Sequence, residues 1–118
     1  MKTETQLTAE IYNALDEIVD LFWLSRPTID QGFPLAVYKS IDVDSEYSFD
    51  VSREAELRVY QIDLYISPSE MVQADNLIDS IKTAMETLKY RQTGSQADFL
   101  DSDLNKVIKV TRWERYNA

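Results

Sequence analysis

The sequence contains no cysteine and no histidine, and it has only two glycines and three prolines among 118 residues. Without cysteine, disulfides, thiolate zinc sites and cysteine nucleophiles are excluded, and without histidine the commonest general acid–base group is missing. Phosphate-binding loops need glycine at fixed spacing, and no Gly-x-Gly or Gly-Lys-Ser/Thr string occurs. No apolar run approaches the ~18 residues of a membrane span, and the first residues lack a signal-peptide core. The sequence therefore predicts no membrane segment and offers little of the common catalytic chemistry.

Positive charge is also scarce, because 12 Lys and Arg oppose 21 Asp and Glu, which gives a net charge of −9. This excess disfavours broad binding to nucleic acid or to anionic lipid. Residues 104–118 are the exception, with four cations and one Glu. Two interpretations are open for this basic end. It pairs with acidic faces of neighbouring copies, or it is a solvated strand edge whose Lys and Arg discourage aggregation.

Two segments have the 3.6-residue apolar period of amphipathic helices. The first is predicted over residues 5–24, with a capping box formed by Thr3 and Gln6. The second is predicted to begin with a capping box at residues 67–70, where a proline stands at the first helical position, and to end near residues 89–90.

Four segments have the alternation or composition of strands: 35–43, 57–67, 90–93 and 104–116. A turn is predicted at Gly94 and Ser95. The predicted order is α–β–β–α–β–β, which indicates an α+β two-layer sandwich in which two helices pack on a mainly antiparallel sheet. The length favours a single domain over residues 1–118.

Residues 43–56 are predicted to form a protruding acidic hairpin arm. Apolar side chains alternate in this arm, and an isolated arm cannot bury them, so it folds back on the domain or a neighbour covers it. Together with the basic end, the arm supplies the candidate protein-interaction residues. These are Asp42, Asp44, Glu46, Tyr47, Phe49, Lys109, Arg112, Trp113 and Arg115.

No catalytic constellation emerges from the remaining residues. The acidic clusters at 42–46 and 98–103 lack the glycine and terminal glutamate of an EF-hand loop, so no metal site is predicted. Asp63, beside Gln61, has two interpretations: a partly buried carboxyl with a raised pKa that acts as an acid or base, or a structural residue that faces outward or bonds to another subunit. We favour the structural interpretation and predict that the chain is not an enzyme and has no cofactor.

At this point the chain resembles a known group, the tail completion or tail terminator proteins of long-tailed bacteriophages and prophages. The resemblance covers nearly the whole chain and lies in patterns rather than in catalytic motifs. It is carried by the first helix with Ile11, Leu15 and Ile18, by the strands 34–38 and 59–65, by the helix with Ala74, Leu77, Ile78, Ile81 and Leu88, and by residues 101–113.

The resemblance implies a structural subunit that forms a ring, often a hexamer, at the head-proximal end of the tail tube. Such a ring stops tube growth, contacts the tail tube protein and the head connector protein, and lets DNA pass without specific binding. The implied location is the virion tail, at the head–tail interface, and the host cytoplasm before assembly. Two alternatives remain: a small acidic inhibitor or immunity-type protein, and a metal-dependent hydrolase that uses the aspartates.

Overall fold

The computed structural model describes residues 2–41 and 56–117, which form a mixed α+β structure with two helices and a six-stranded, mostly antiparallel sheet. The elements in chain order are α1 (Glu4–Leu15), β1 (Asp20–Trp23), β2 (Leu35–Ile41), β3 (Glu56–Ile66), a 3₁₀ turn (Pro68–Glu70), α2 (Met71–Thr87), β4 (Arg91–Ser95), β5 (Phe99–Asp101) and β6 (Lys106–Asn117). The sequence predicted two strands before the second helix and two after it. The described residues have three before it and three after it.

Helix α1 begins as predicted and ends earlier than predicted. The Thr3 side chain accepts a hydrogen bond from the Gln6 amide at 3.2 Å, and the Gln6 side chain accepts one from the Thr3 amide at 2.8 Å, so the capping box is confirmed. The prediction that the helix extends to Leu24 is wrong. After Leu15 the chain turns and enters β1, because this short apolar run gains strand pairing with β2 and buries Leu21.

Helix α2 keeps its predicted apolar stripe, with Ala74, Ile81 and Met85 buried. The capping box predicted at residues 67–70 does not form, because the Ser67 side chain makes no capping hydrogen bond. Instead the Glu70 amide donates to the Ser67 carbonyl at 2.9 Å and the chain makes one 3₁₀ turn before α2 begins.

The strands lie in the order β1–β2–β3–β6–β4, and β5 also pairs with β6. Strands β1 and β2 are parallel, and every other pairing is antiparallel. The centre of the sheet is a ladder of eleven residue pairs between β3 and β6, from Glu56–Asn117 to Ile66–Val107. The turn predicted at Gly94 and Ser95 does not form, because both residues belong to β4. The pairing of β4 with β6 shifts by one residue between Gln92 and Gly94, which makes this part of the strand irregular.

Two apolar clusters lie on opposite faces of the sheet. The first contains both helices and one face of β3, where Tyr60, Ile62, Leu64 and Ile66 alternate as the sequence predicted. The second cluster lies on the other face and includes no helix residue. Its buried members are Leu35, Val37, Tyr65, Leu104, Ile108 and Val110. The helices therefore cover one face of the sheet, and loops beside the strands cover part of the second face.

Candidate functional site: interaction surfaces

The predicted arm lies outside the described residues except for Glu56, which is the first residue of β3. Residues 42–55, which the structure does not describe, contain five of the candidate interaction residues. They are Asp42, directly before the predicted arm, and Asp44, Glu46, Tyr47 and Phe49 within it. The structure therefore bears on the four candidates of the C-terminal strand, and it distributes them over both faces of the sheet.

Lys109 lies in a groove of about 320 Å³ between α2 and the segment that joins β4 to β5. Its ammonium group is 2.7 Å from a carboxylate oxygen of Asp98 and 3.9 Å from one of Asp75. The Lys109 side chain is 18% exposed. Because Asp98 already neutralises it, Lys109 serves to hold the β4–β5 segment against the sheet.

Trp113 and Arg115 belong to the helix-covered face. Trp113 is fully buried in the first cluster, and its indole N–H donates to the Thr111 hydroxyl at 2.9 Å. Arg115 donates to the Leu88 carbonyl at 3.0 Å and lies over the ring of Tyr90. These contacts correct the expectation that Trp113 lies on an interaction surface, because the chain's own core leaves none of its side chain for a partner.

Burial raises the pKa values of two tyrosines in this core, Tyr60 and Tyr90, and the pKa of Tyr60 rises to about 12. The two rings meet edge to face with their centroids 5.9 Å apart. Both hydroxyls therefore stay protonated at physiological pH, and neither provides a general base.

Arg112 faces the opposite way and joins a row of polar groups across the second face. Its Nε donates to the side-chain oxygen of Gln61 at 3.0 Å, and the Gln61 amide group donates to Asp63 at 2.9 Å. Lys39 is paired with Gln61 in the ladder between β2 and β3. We call these four residues, Lys39, Gln61, Asp63 and Arg112, the polar band.

Asp63 has the electrostatics of a half-buried carboxyl with compensating neighbours. Burial raises its pKa above the ordinary aspartate value, while the Gln61 hydrogen bond and the charges of Lys39 and Arg112 act to lower it. The environment of Asp63 combines a raised pKa with a hydrogen bond from Gln61, which is only 7% exposed and does not face outward.

One end of the second face is covered by the loop that follows β1, residues 24–34, which we call the strap. Arg26 of the strap contacts Asp101 at 3.1 Å and Asp103 at 3.5 Å. Lys106 lies 4.7 Å from the ring centre of Phe33. Asp101 also accepts hydrogen bonds from the amides of Asp103 and Leu104, so it organises the turn before β6. The aspartates of this predicted acidic cluster thus have structural partners.

The two edges of the sheet carry exposed apolar residues that the sequence did not single out. Trp23 and Leu24 are 37% and 62% exposed beside β1, and Phe99 and Leu100 are 48% and 56% exposed in β5. Their signal in the sequence is weak, since each is a short apolar run flanked by polar residues. Which runs lie at a border of the sheet is decided by pairing between distant segments.

Two features concern the described residues as a whole. Within residues 2–41 and 56–117, no group of three or more acidic side chains is arranged so that it could hold a metal ion. In the same residues, neither helix is long and apolar enough to cross a membrane.

Comparison with known proteins gives no family assignment. No model of a known protein family matches the chain, and no curated protein matches it significantly.

Proposed function

We propose that this chain is a tail terminator, or tail completion, protein of a long-tailed bacteriophage or prophage. Several copies form a ring, often a hexamer in the group that the sequence resembles, at the head-proximal end of the tail. The ring stops growth of the tail tube and joins the tail to the head connector. In this role the chain works by protein contact, without catalysis or a cofactor, and DNA passes through the ring without specific binding.

The observation that carries the proposal is the one-sided cover of the sheet. Both helices pack against one face of the sheet, while Arg112 of the polar band and residues at both sheet edges are exposed and can contact other proteins. A ring subunit between a tube and a connector needs separate surfaces for its neighbours and for each partner. The polar band contains both charge signs in hydrogen-bonded pairs, which suits a protein partner better than a polyanion.

The direct test uses the tail tube protein encoded in the same genome. Tubes polymerised alone are expected to grow to variable lengths, whereas tubes polymerised with this chain are expected to be short and capped at one end in electron micrographs. Tube lengths that do not respond to the chain, together with no binding at tube ends, would contradict the proposal.

The arm is tested by charge reversal of Asp42, Asp44 and Glu46 to lysine. Because Asp44 and Glu46 lie in the predicted arm and Asp42 lies at the end of the predicted strand that precedes it, we expect the variant to fold normally and to lose assembly. Folding is measured by urea unfolding, and assembly by capping of tubes. Normal capping by this variant would remove the arm from the assembly function.

The matched control reverses Glu70, Asp79 and Glu86 to lysine. All three are exposed in or just before α2, so the change in net charge is the same and only its position differs. We expect this control to cap tubes. Loss of capping in both variants would show that net charge, rather than the arm, controls assembly.

The acidic inhibitor is distinguished by solution mass in the presence of the partner. A ring contributes several copies to each complex, whereas an inhibitor contributes one copy to each target. Light scattering of the complex therefore separates the two, even if the free chain is monomeric before assembly.

A further inference from the structure

The sheet ends in two strand edges that no described residue covers. Strand β1 forms one edge, and β4 with β5 forms the other, along the outer side of β6. All five residues of β4 are exposed. An uncovered edge presents unpaired N–H and C=O groups and is therefore a template for pairing with another strand.

Exposed apolar side chains concentrate at these edges. In the described residues eight large apolar side chains are exposed, and four of them are Trp23 and Leu24 at one edge and Phe99 and Leu100 at the other. Trp23 is fixed there by an edge-to-face contact with Tyr38, with ring centroids 4.9 Å apart. Both edges thus combine unpaired backbone with apolar area, which is the combination that strand addition uses.

The two edges lie at the same height in the sheet. Following the register across the strands, Trp23 shares a row with Tyr38, Ile62, Thr111 and Ser95. In the same way, a second row of paired residues runs across the sheet from Asp20 through Leu35, Tyr65 and Ile108 to Phe99. Strand β1 therefore stands level with residues 95–99 on the far side of the sheet.

The two edges also run in opposite directions. Strand β1 is parallel to β2, and three antiparallel steps separate β2 from β4 and β5. A rotation about an axis along the strands therefore brings β1 of one copy beside residues 95–99 of the next copy in antiparallel orientation. Because the edges are level, the pairing needs no slip along the strands, and a head-to-tail contact of this kind closes into a ring when its rotation divides a full turn.

We propose that β1 of one copy pairs antiparallel with residues 95–99 of a second copy, so that the sheet continues from subunit to subunit. This inference rests on the proposed function in one respect, because it identifies the contact that would close the terminator ring. The partner is a second copy of this chain, and the contact places Trp23 opposite Ser95 and Asp20 opposite Phe99 of the next copy.

A two-fold contact between two β1 strands is less favourable than the head-to-tail contact. A parallel two-fold contact would place the exposed acids Asp16, Glu17 and Asp20 of one copy against the same acids of the other. Any two-fold contact between β1 strands would also leave β5 uncovered. In the head-to-tail contact the acids beside β5 are already neutralised, since Asp98 is paired with Lys109 and Asp101 with Arg26.

Cross-linking tests the row alignment directly, because the natural chain has no cysteine. In the variant with Trp23→Cys and Ser95→Cys, we expect mild oxidation to link successive copies into a ladder on a non-reducing gel. The control pair is Ser80→Cys with Ser95→Cys, since Ser80 is exposed on α2 and belongs to no strand. The control is expected to give no ladder. No ladder from the Trp23–Ser95 pair would overturn the proposal.

Single variants separate the two symmetries. Trp23→Cys alone is expected to give no disulfide dimer, whereas an efficient dimer would indicate β1–β1 pairing and would overturn the head-to-tail contact. Phe99→Glu changes an exposed residue, so it should fold normally, and because it sets a second carboxylate opposite Asp20 of the next copy it should weaken self-association at least about tenfold in sedimentation. Unchanged self-association of Phe99→Glu would also count against the proposal.

The inference and the proposed function fail in different ways. A disulfide ladder without capping of tail tubes would support the edge contact and remove the terminator function. Capping by a chain that gives no ladder would keep the function and place the contact between copies elsewhere.

Discussion

We expect the stability of the fold to depend strongly on Asn117, because this small side chain joins three parts of the chain. It is 1% exposed, its amide group donates to the Lys2 carbonyl at 2.7 Å and to Glu56 at 3.2 Å, and its oxygen accepts from the Lys2 amide at 3.0 Å. Lys2 stands just before the cap of α1, and Glu56 starts β3. Asn117 thus links the start of a helix to the end of the central ladder.

The change Asn117→Ala removes all three hydrogen bonds. The two bonds to backbone are worth about 1 kcal/mol each, and the bond to the Glu56 carboxylate about 1.5 kcal/mol. Because Lys2 is exposed, water replaces part of the hydrogen bonding that its backbone loses in the variant. We therefore expect the free energy of unfolding to fall by about 2–3 kcal/mol. For a chain of this size the melting temperature falls by about 8–12 °C.

The assay is urea unfolding followed by the fluorescence of Trp113, which is fully buried in the folded chain. The matched control is Asn76→Ala, an exposed position on α2, for which we expect a change within about 0.5 kcal/mol. A loss below about 0.5 kcal/mol for Asn117→Ala would refute the reasoning that these hydrogen bonds stabilise the fold.

Three further predictions follow from single residues. Trp113→Ala should cost about 3–5 kcal/mol in urea unfolding, since it empties the core beside β6, and a loss below about 1 kcal/mol would contradict its position there. Burial raises the native pKa of Asp63 above its unfolded value, so its ionisation opposes folding: wild-type stability should fall as pH rises from the ordinary aspartate range through that raised pKa. Asp63→Asn should flatten this part of the stability–pH curve, and an unaltered curve would show that another group titrates there. Arg26→Ala should cost under about 1 kcal/mol because Arg26 is 63% exposed, and the cost should shrink in high salt, whereas a loss above about 2 kcal/mol would mean that the strap itself had detached.

Local signals in the sequence were enough for the elements whose stability is local. The capping box of Thr3 and Gln6 and the apolar stripe through Leu7, Ile11 and Leu15 predicted the start and the buried face of α1. The alternation in β3 predicted which of its residues meet the helices. In each case the apolar residues recur in the sequence with the same period at which the side chains of that element face the core.

Features that depend on distant pairing were not predictable in this way. The run Leu21-Phe22-Trp23 continues the apolar stripe of α1 and also suits a strand, and only pairing with residues 35–38 decides between the two. Gly94 signalled a turn, yet the long partner strand β6 holds it in a ladder. The candidate interaction surface was missed for the same reason, because a residue lies at an edge only once the order of the strands is set.

The strands of the sheet are joined by unequal numbers of residue pairs, and this difference has a mechanical consequence. A force along β3 and β6 loads eleven residue pairs together, whereas a force on β1 is borne by only four pairs with β2. Under tension the sheet should therefore yield first at β1, while the central ladder stays intact. If neighbouring subunits pull on one another through β1, the force at which the sheet opens is set by the four residue pairs between β1 and β2.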